Sequence, residues 1–226
     1  MCVNYAPLQR KVLRDIFLVE PPEEEWKPDT WRDYAAPIVL HDGDGGRDCV
    51  MGSFGLVPKL EIKRRNEETE RRTGQPPKLK DYDTMNARSE SVAERVAFKG
   101  PWRQTQYCLI PAASFDEPNY EAGPKCVWYR IRPADEPAFG IAGLWQRWYD
   151  GSYTFTMLTV NAEGHAVMGR MHKPNDEKRS LVLVPPEQWD DWLQCGNPEV
   201  ARTFMKLYPA EKMAAAPRPA KLAAVE

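Results

Sequence analysis

Four short runs decide the fold: Tyr107-Cys108-Leu109-Ile110-Pro111, Val127-Trp128-Tyr129-Arg130-Ile131-Arg132, Phe139-Gly140-Ile141-Ala142-Gly143-Leu144 and Thr154-Phe155-Thr156-Met157-Leu158-Thr159-Val160. Each is rich in β-branched and aromatic residues and is bounded by turn residues, so each reads as a strand. The segments between them are too short and too polar for crossover helices, which makes the connections hairpins. Working outward, Ala36 to Leu40 and Cys49 to Met51 flank His41-Asp42-Gly43-Asp44-Gly45-Gly46-Arg47-Asp48, the pattern of another hairpin. Val3 to Val19 reads as a strand followed by a short helix, Leu181 to Val184 as a strand, and Pro186 to Leu193 as a helix start. Ser89 to Phe98 has helical spacing of Val92, Val96 and Ala97, with Asn86 or Ser89 as the cap.

Helices at the ends and strands through the middle predict an α+β single domain with a strongly bent, barrel-like, mainly antiparallel β-sheet flanked by helices. The domain is expected over residues 1–208. Lys59 to Asp81 carries charge, Gly74 and Pro76-Pro77 and little apolar surface, so it reads as a mobile charged loop. Residues 209–226 are Ala, Pro and Lys with little to pack, and read as a disordered tail.

The 226 residues (25.9 kDa) are 42% apolar and 28% charged, which excludes wholesale disorder and lets a core form without disulfide or metal staples. Lys plus Arg at 31 against Asp plus Glu at 33 leave a formal charge of -2, so any nucleic-acid face has to be local. No run approaches the ~20 apolar residues of a membrane span, and no basic-then-apolar leader is present, so the expected location is the cytoplasm, with nucleoid association when bound to DNA. The five cysteines are widely spaced, without a Cys-x-x-Cys pair or a His at zinc-ligand spacing, and neither metal nor other cofactor is expected.

The second residue concentrates the chemistry. A small residue after the initiator Met allows Met1 to be removed, and Cys2 then carries two nucleophiles. An α-amine titrates near ~8, so part of it is neutral at pH 7 and attacks a carbonyl without much tuning. The neighbouring thiol adds to the imine carbon and closes a five-membered thiazolidine. The bland alternative is a Cys2 that is only a small buried hydrophobe.

Ordered blocks along the chain set these options in a family context. They are Met1-Cys2, Asn86-Ala87-Arg88-Ser89-Glu90, Cys108-Leu109-Ile110-Pro111-Ala112 leading to Phe115-Asp116-Glu117, Ala142-Gly143-Leu144-Trp145, and His172 ahead of Lys178-Arg179-Ser180-Leu181-Val182-Leu183. In this set the chain resembles the SOS response-associated peptidase (SRAP) family of abasic-site processing proteins, from Cys2 to about Leu193. The resemblance implies removal of Met1, capture of abasic-site aldehydes in single-stranded DNA as a thiazolidine crosslink through Cys2, and shielding of the lesion during the SOS response. It also implies hydrolase and β-lyase-type activity and crosslink reversal.

By the same resemblance Glu117 is the catalytic carboxylate that shuttles protons, with Asp116 and Glu121 as competitors on chemistry alone. His172 is the acid that protonates the sugar ring oxygen. Asn86 holds the Cys2 backbone or the sugar, or is a helix cap. For DNA binding, Arg88 grips phosphate, Phe54 is a stacking platform and Thr159 hydrogen-bonds the strand, against the simpler roles of surface ion pair and cross-strand pairing.

The chain departs from the family pattern at Val3-Asn4 in place of Gly-Arg, and at Phe54-Gly55-Leu56-Val57-Pro58-Lys59-Leu60, where both Trp positions are lost. It also departs in the residues inserted between His172 and Arg179, where a second register would put Met168 opposite the family His. Two rival functions share these residues. One is a cysteine peptidase or amidase using the Cys2 thiolate with His172; the other is a non-catalytic module for single-stranded DNA.

Overall fold

In the computed structural model, which describes residues 2–77 and 81–219, the strands in chain order are β1 (Tyr5–Pro7), β2 (Ala35–His41), β3 (Arg47–Phe54), β4 (Asn86–Arg88), β5 (Tyr107–Asn119), β6 (Val127–Pro133), β7 (Phe139–Arg147), β8 (Tyr153–Asn161), β9 (Arg179–Leu181), β10 (Leu183–Val184) and β11 (Met213–Pro217). The helices are α1 (Arg10–Val12), which runs on as a π-turn over Leu13–Phe17, α2 (Lys59–Thr73), α3 (Lys99–Arg103), α4 (Trp189–Leu193) and α5 (Pro198–Ala201).

Five strands close a barrel. β5 pairs with β7 from Tyr107 opposite Leu144 to Ala112 opposite Phe139, β7 pairs with β8, and β8 pairs in parallel with β3. β3 pairs with β2 in the expected hairpin, and Val39 of β2 returns to Leu109 of β5. The hairpin tip is built as its composition demands: Asp42 Oδ1 accepts from the N–H groups of Asp44 and Gly46, both at 2.8 Å, while Gly43 and Gly45 take φ of 95° and 96°.

Alternation along the barrel strands sends Ile38, Cys108, Ile110, Ile141, Phe155 and Met157 into one buried cluster within the barrel. It sends Val39, Tyr107, Leu109, Ala142, Leu144 and Leu158 into a second, beneath Trp102, Trp189 and Trp192. Both faces of these strands are covered, which is why their sequences are nearly continuous apolar runs rather than alternating ones.

β5, at 13 residues, is more than twice the length that its apolar run suggested. Its second half leaves the barrel and pairs with β6 on one side and β1 on the other, with Phe115 opposite both Ile131 and Tyr5. The residues Ser114 to Glu117, which look like the polar end of a strand, are therefore the middle of a three-stranded extension and are buried.

Three expectations change. Lys59–Thr73 is a helix, not a loop: Glu61 receives Arg64 at 2.7 Å and Arg65 at 2.6 Å, Ile62 is buried, and Gly74 caps the end at φ 66°. Spaced opposite charges and good helix formers supplied what apolar periodicity did not; residues 78–80 of the expected loop lie outside the described residues. Ser89 to Phe98 forms consecutive turns, with regular helix only in α3, because the Ser89 N–H extends the β4 ladder to Thr159 O at 2.9 Å. Residues 209–226 are not uniformly a tail: Met213 to Pro217 pair with Pro133 to Tyr129 and cover the otherwise bare edge of β6. Residues 220–226 lie outside the described residues.

Candidate active site

The antiparallel register of β1 on β5, with Asp116 N–H donating to Asn4 O at 3.1 Å, carries Cys2 alongside Glu117. The parallel pairing of β4 with β8, Asn86 opposite Met157, brings the Asn86 amide to the same place, where Nδ2 donates to Cys2 O at 2.7 Å. Asn86 is thus a strand residue holding the Cys2 backbone and not a helix cap. His172 enters from the loop after the short 3₁₀ turn Met168–Arg170: its N–H donates to Pro118 O at 2.6 Å, and Nε2 stands 3.2 Å from Glu117 Oε2. Cys2, Asn86, Glu117 and His172, spread over 170 positions of the sequence, converge at one buried spot.

Alternation on β5 separates the competing carboxylates. Asp116 points to the other side and is held by Arg130 Nε at 3.0 Å and Arg218 Nη1 at 2.9 Å. Glu121 is half exposed and paired with Arg170 at 2.7 Å, which holds its carboxyl down at about 2. Glu117, 2% exposed, faces no cationic side chain at such range, and burial, opposed by the chain-start ammonium and reinforced by the Asp116 charge, pushes its carboxyl up to about 7. Burial pushes the His172 imidazole down to about 4, with the chain-start ammonium and then the Lys178 ammonium adding to the effect. At neutral pH the ring is neutral and Glu117 is the group poised to exchange a proton. That environment disfavours the protonated His172 expected from the sequence.

The Cys2 thiol, driven well above its ordinary value by burial and by the Glu117 charge, donates to Asn4 O at 3.2 Å. Asn4 Oδ1, Asn86 Oδ1 and Glu117 Oε2 are buried and accept no hydrogen bond among the described residues, so this end of the chain is rich in acceptors awaiting donors.

His172 has φ of 63°, uncommon outside glycine. The loop that imposes it is fastened by Lys178, whose buried Nζ donates to Met171 O at 2.8 Å, His172 O at 3.3 Å and Lys173 O at 2.7 Å. Met168 lies in the apolar cluster, so the histidine beside Glu117 is His172. His165 is structural: Nδ1 accepts from Val167 and Met168 N–H, and Nε2 meets Tyr208 O at 2.8 Å.

Two open grooves flank this spot. One, of 620 Å³, is lined by Asn86, Arg88, Arg65, Arg95, Tyr82 and Phe98 among others. The second, of 250 Å³, is lined by His172, Lys178, Arg170, Tyr120 and Pro174 among others. Arg88 is half exposed at the first groove, with Nη1 2.7 Å from Glu177 Oε2, so it is both available and partly occupied.

The other two expected DNA contacts are corrected. Phe54 is wholly buried, stacked on Phe155 at 5.2 Å and edge-on to Tyr5 at 5.6 Å, because its strand face turns into the barrel; it offers no platform to a base. Thr159 is buried and its hydroxyl serves Arg179 Nη2 at 3.0 Å and Ala87 O at 3.4 Å. Sequence reasoning missed Asn4, Lys178, Arg130 and Arg218. Only the departure at Asn4 and the Lys178-Arg179 pair before an apolar strand marked any of them. Among the described residues no group of three or more His, Cys, Asp or Glu is placed to hold a metal ion, and no helix is long and apolar enough to cross a membrane.

The family model described as SOS response associated peptidase (SRAP) matches residues 1–224. The abasic site processing protein YoaM of Bacillus subtilis is 28% identical over 148 residues, 62% of this chain and 63% of its own length. The abasic site processing protein HMCES of Gallus gallus is 22% identical over 199 residues, 78% of this chain and 54% of its own. The chain thus matches under two thirds of the length of these curated relatives. Among solved structures, a protein from Bordetella bronchiseptica superimposes with a TM-score of 0.82 at 29% identity, covering 97% of this chain and all of its own. One from Bacteroides thetaiotaomicron shares the fold, with a TM-score of 0.71 at 20% identity over 95% of this chain and 90% of its own.

Proposed function

The chain belongs to the SOS response associated peptidase family, and on that premise we propose that it processes abasic sites in DNA by covalent capture of their aldehyde at Cys2, once Met1 has been removed. The observation that carries the reading is the convergence of Cys2, Asn86, Glu117 and His172 at the buried chain start between two open grooves. The names of the relatives, abasic site processing proteins, point the same way.

In the proposed sequence the freed Cys2 amine adds to the C1′ aldehyde of the ring-opened sugar to give a carbinolamine. Glu117, whose carboxyl burial raises toward neutrality, takes a proton from the ammonium and returns one to the departing hydroxyl, which leaves as water. The thiol then adds across the imine: sulfur bonds to C1′, and its proton passes through Glu117 to the nitrogen. Asn86 fixes the Cys2 carbonyl during these steps, and His172 Nε2 stands 3.2 Å from Glu117 Oε2, next to the travelling proton. Single-stranded DNA suits a buried nucleophile best, because the sugar must leave the stack to reach it and an unpaired strand loses least in doing so.

A cysteine peptidase would activate a Cys2 thiolate with a protonated histidine. Burial here raises the thiol and lowers His172, which opposes that pair. Intact-mass measurement before and after incubation with a single-stranded abasic oligonucleotide tests the proposal. Loss of Met1 and a denaturant-stable adduct are expected, and Cys2→Ala should abolish the adduct while reversible DNA binding persists. An adduct at wild-type yield with Cys2→Ala, or a mature chain that retains Met1, would overturn it.

A further inference from the structure

Behind Glu117 lies an ion network that the capture chemistry does not use. Asp116, 1% exposed, accepts from Arg130 Nε at 3.0 Å and Nη2 at 3.2 Å, and Arg218 Nη1 stands 2.9 Å from its Oδ2. Asp29 ties the two guanidinium groups together, 3.7 Å from Arg130 and 3.3 Å from Arg218. Arg130 comes from β6. Arg218 is delivered by β11, and its N–H donates to Trp128 O at 2.7 Å, which extends the β11–β6 ladder by one bond. Two arginines and two aspartates cancel, so the network's charge is balanced only while Arg218 is in place.

We propose that Arg218 is a positioning residue of the active site: with Arg130 it compensates the charge of the Asp116 carboxylate, leaving Glu117 as the carboxyl at this end of β5 that exchanges a proton during capture. The neighbouring groups are consistent with this division. On its own side Glu117 meets His172, Cys2 and the chain-start ammonium, which opposes the rise of its carboxyl; Lys178 and Asp176 act on the neighbouring His172, and across the ladder Glu117 is opposite Tyr129. Asp116 is the carboxylate adjacent to it, and Arg130, Arg218 and Asp29 are the charges that face Asp116.

The sign follows from like-charge coupling. Without Arg218 the Asp116 charge is less offset, a second negative charge beside it becomes harder to form, and Glu117 holds its proton to higher pH. In its kinetic consequence the proposal rests on the capture reading given above; its electrostatics does not.

The test is Arg218→Gln in the full chain, with Arg218→Lys as the conservative rescue and Arg14→Gln, an exposed pair elsewhere, as control. Two measurements are made: the pH dependence of capture of an abasic oligonucleotide, and NMR titration of the Glu117 side-chain carboxyl carbon. In Arg218→Gln the acid limb and the carboxyl titration should both move up by about half a pH unit, a roughly threefold slower capture at pH 6.5, with rates merging at pH 9. Arg218→Lys should restore most of both, and also serves if the Gln variant does not fold. Titrations of Glu117 that superimpose in wild type and Arg218→Gln, or move down, overturn the proposal. If the wild type captures no aldehyde, the capture reading fails and the carboxyl titration alone decides the role of Arg218.

Discussion

Asp116 and Glu117 are adjacent, almost equally buried and chemically alike, yet one strand step pairs the first with Arg130 and Arg218 and sets the second beside Cys2 and His172. The consequence for stability has a definite sign. A carboxyl raised to about 7 binds its proton more tightly in the folded state, so its contribution is fully present below its unfolded value and is lost as pH rises through about 7. Glu117→Gln removes the cost of burying that charge. We expect little change in thermal stability at pH 5 and a gain of roughly 3 kcal/mol at pH 8, read from melting curves at the two pH values. Capture should slow by about a hundredfold in the same variant; a gain that is equal at both pH values would refute the assignment. His172 runs the opposite way. Its contribution is present above the unfolded value and fades as pH falls toward about 4.

At the scale of elements, the loop from Met171 to Lys178 owes its shape to one buried ammonium. Lys178→Met keeps the stem and removes the donor to three carbonyls, so the loop should open and release His172 from Pro118 O. The expected outcome is a stability loss of about 1–3 kcal/mol with loss of hydrogen-exchange protection at the His172 amide. Barrel amides such as Ala142, which donates to Val182 O at 2.9 Å, should stay protected. Equal loss at both amides would mean that Lys178 supports the whole fold and not the loop. Elements also differ in how they can be read. The four middle strands are visible because burial on both faces demands apolar runs. α2 is not, since its stability lies in Glu61–Arg64 and Glu61–Arg65 pairs on a polar surface, and β11 is not, since three alanines become a strand only when the β6 edge is there to receive them.

For the whole molecule, closure of the barrel depends on close approach at Gly143. A Cβ there would meet the Ile110 side chain and would lie 2.6 Å from Thr156 O and 2.9 Å from Cys108 Sγ, so β5, β7 and β8 would have to part. Gly143→Ala should cost about 1–3 kcal/mol, measured as a lower urea midpoint with an unchanged slope; an unaltered midpoint would show that the barrel yields there at no cost. The barrel-like α+β fold, its hairpins and the chemistry of Cys2 were legible from the chain alone, because apolar runs and a reactive residue type are local properties; Asn86, Glu117 and His172 were singled out by the family resemblance. What the tertiary structure alone decided is which carboxyl is ion-paired and which is raised by burial, that burial lowers the His172 imidazole, that Phe54 and Thr159 face inward, and that Arg218 reaches back to Asp116. Those outcomes depend on burial and on charges brought together from distant positions, and neither the depth of a residue nor its neighbours across a sheet is written in its own stretch of sequence.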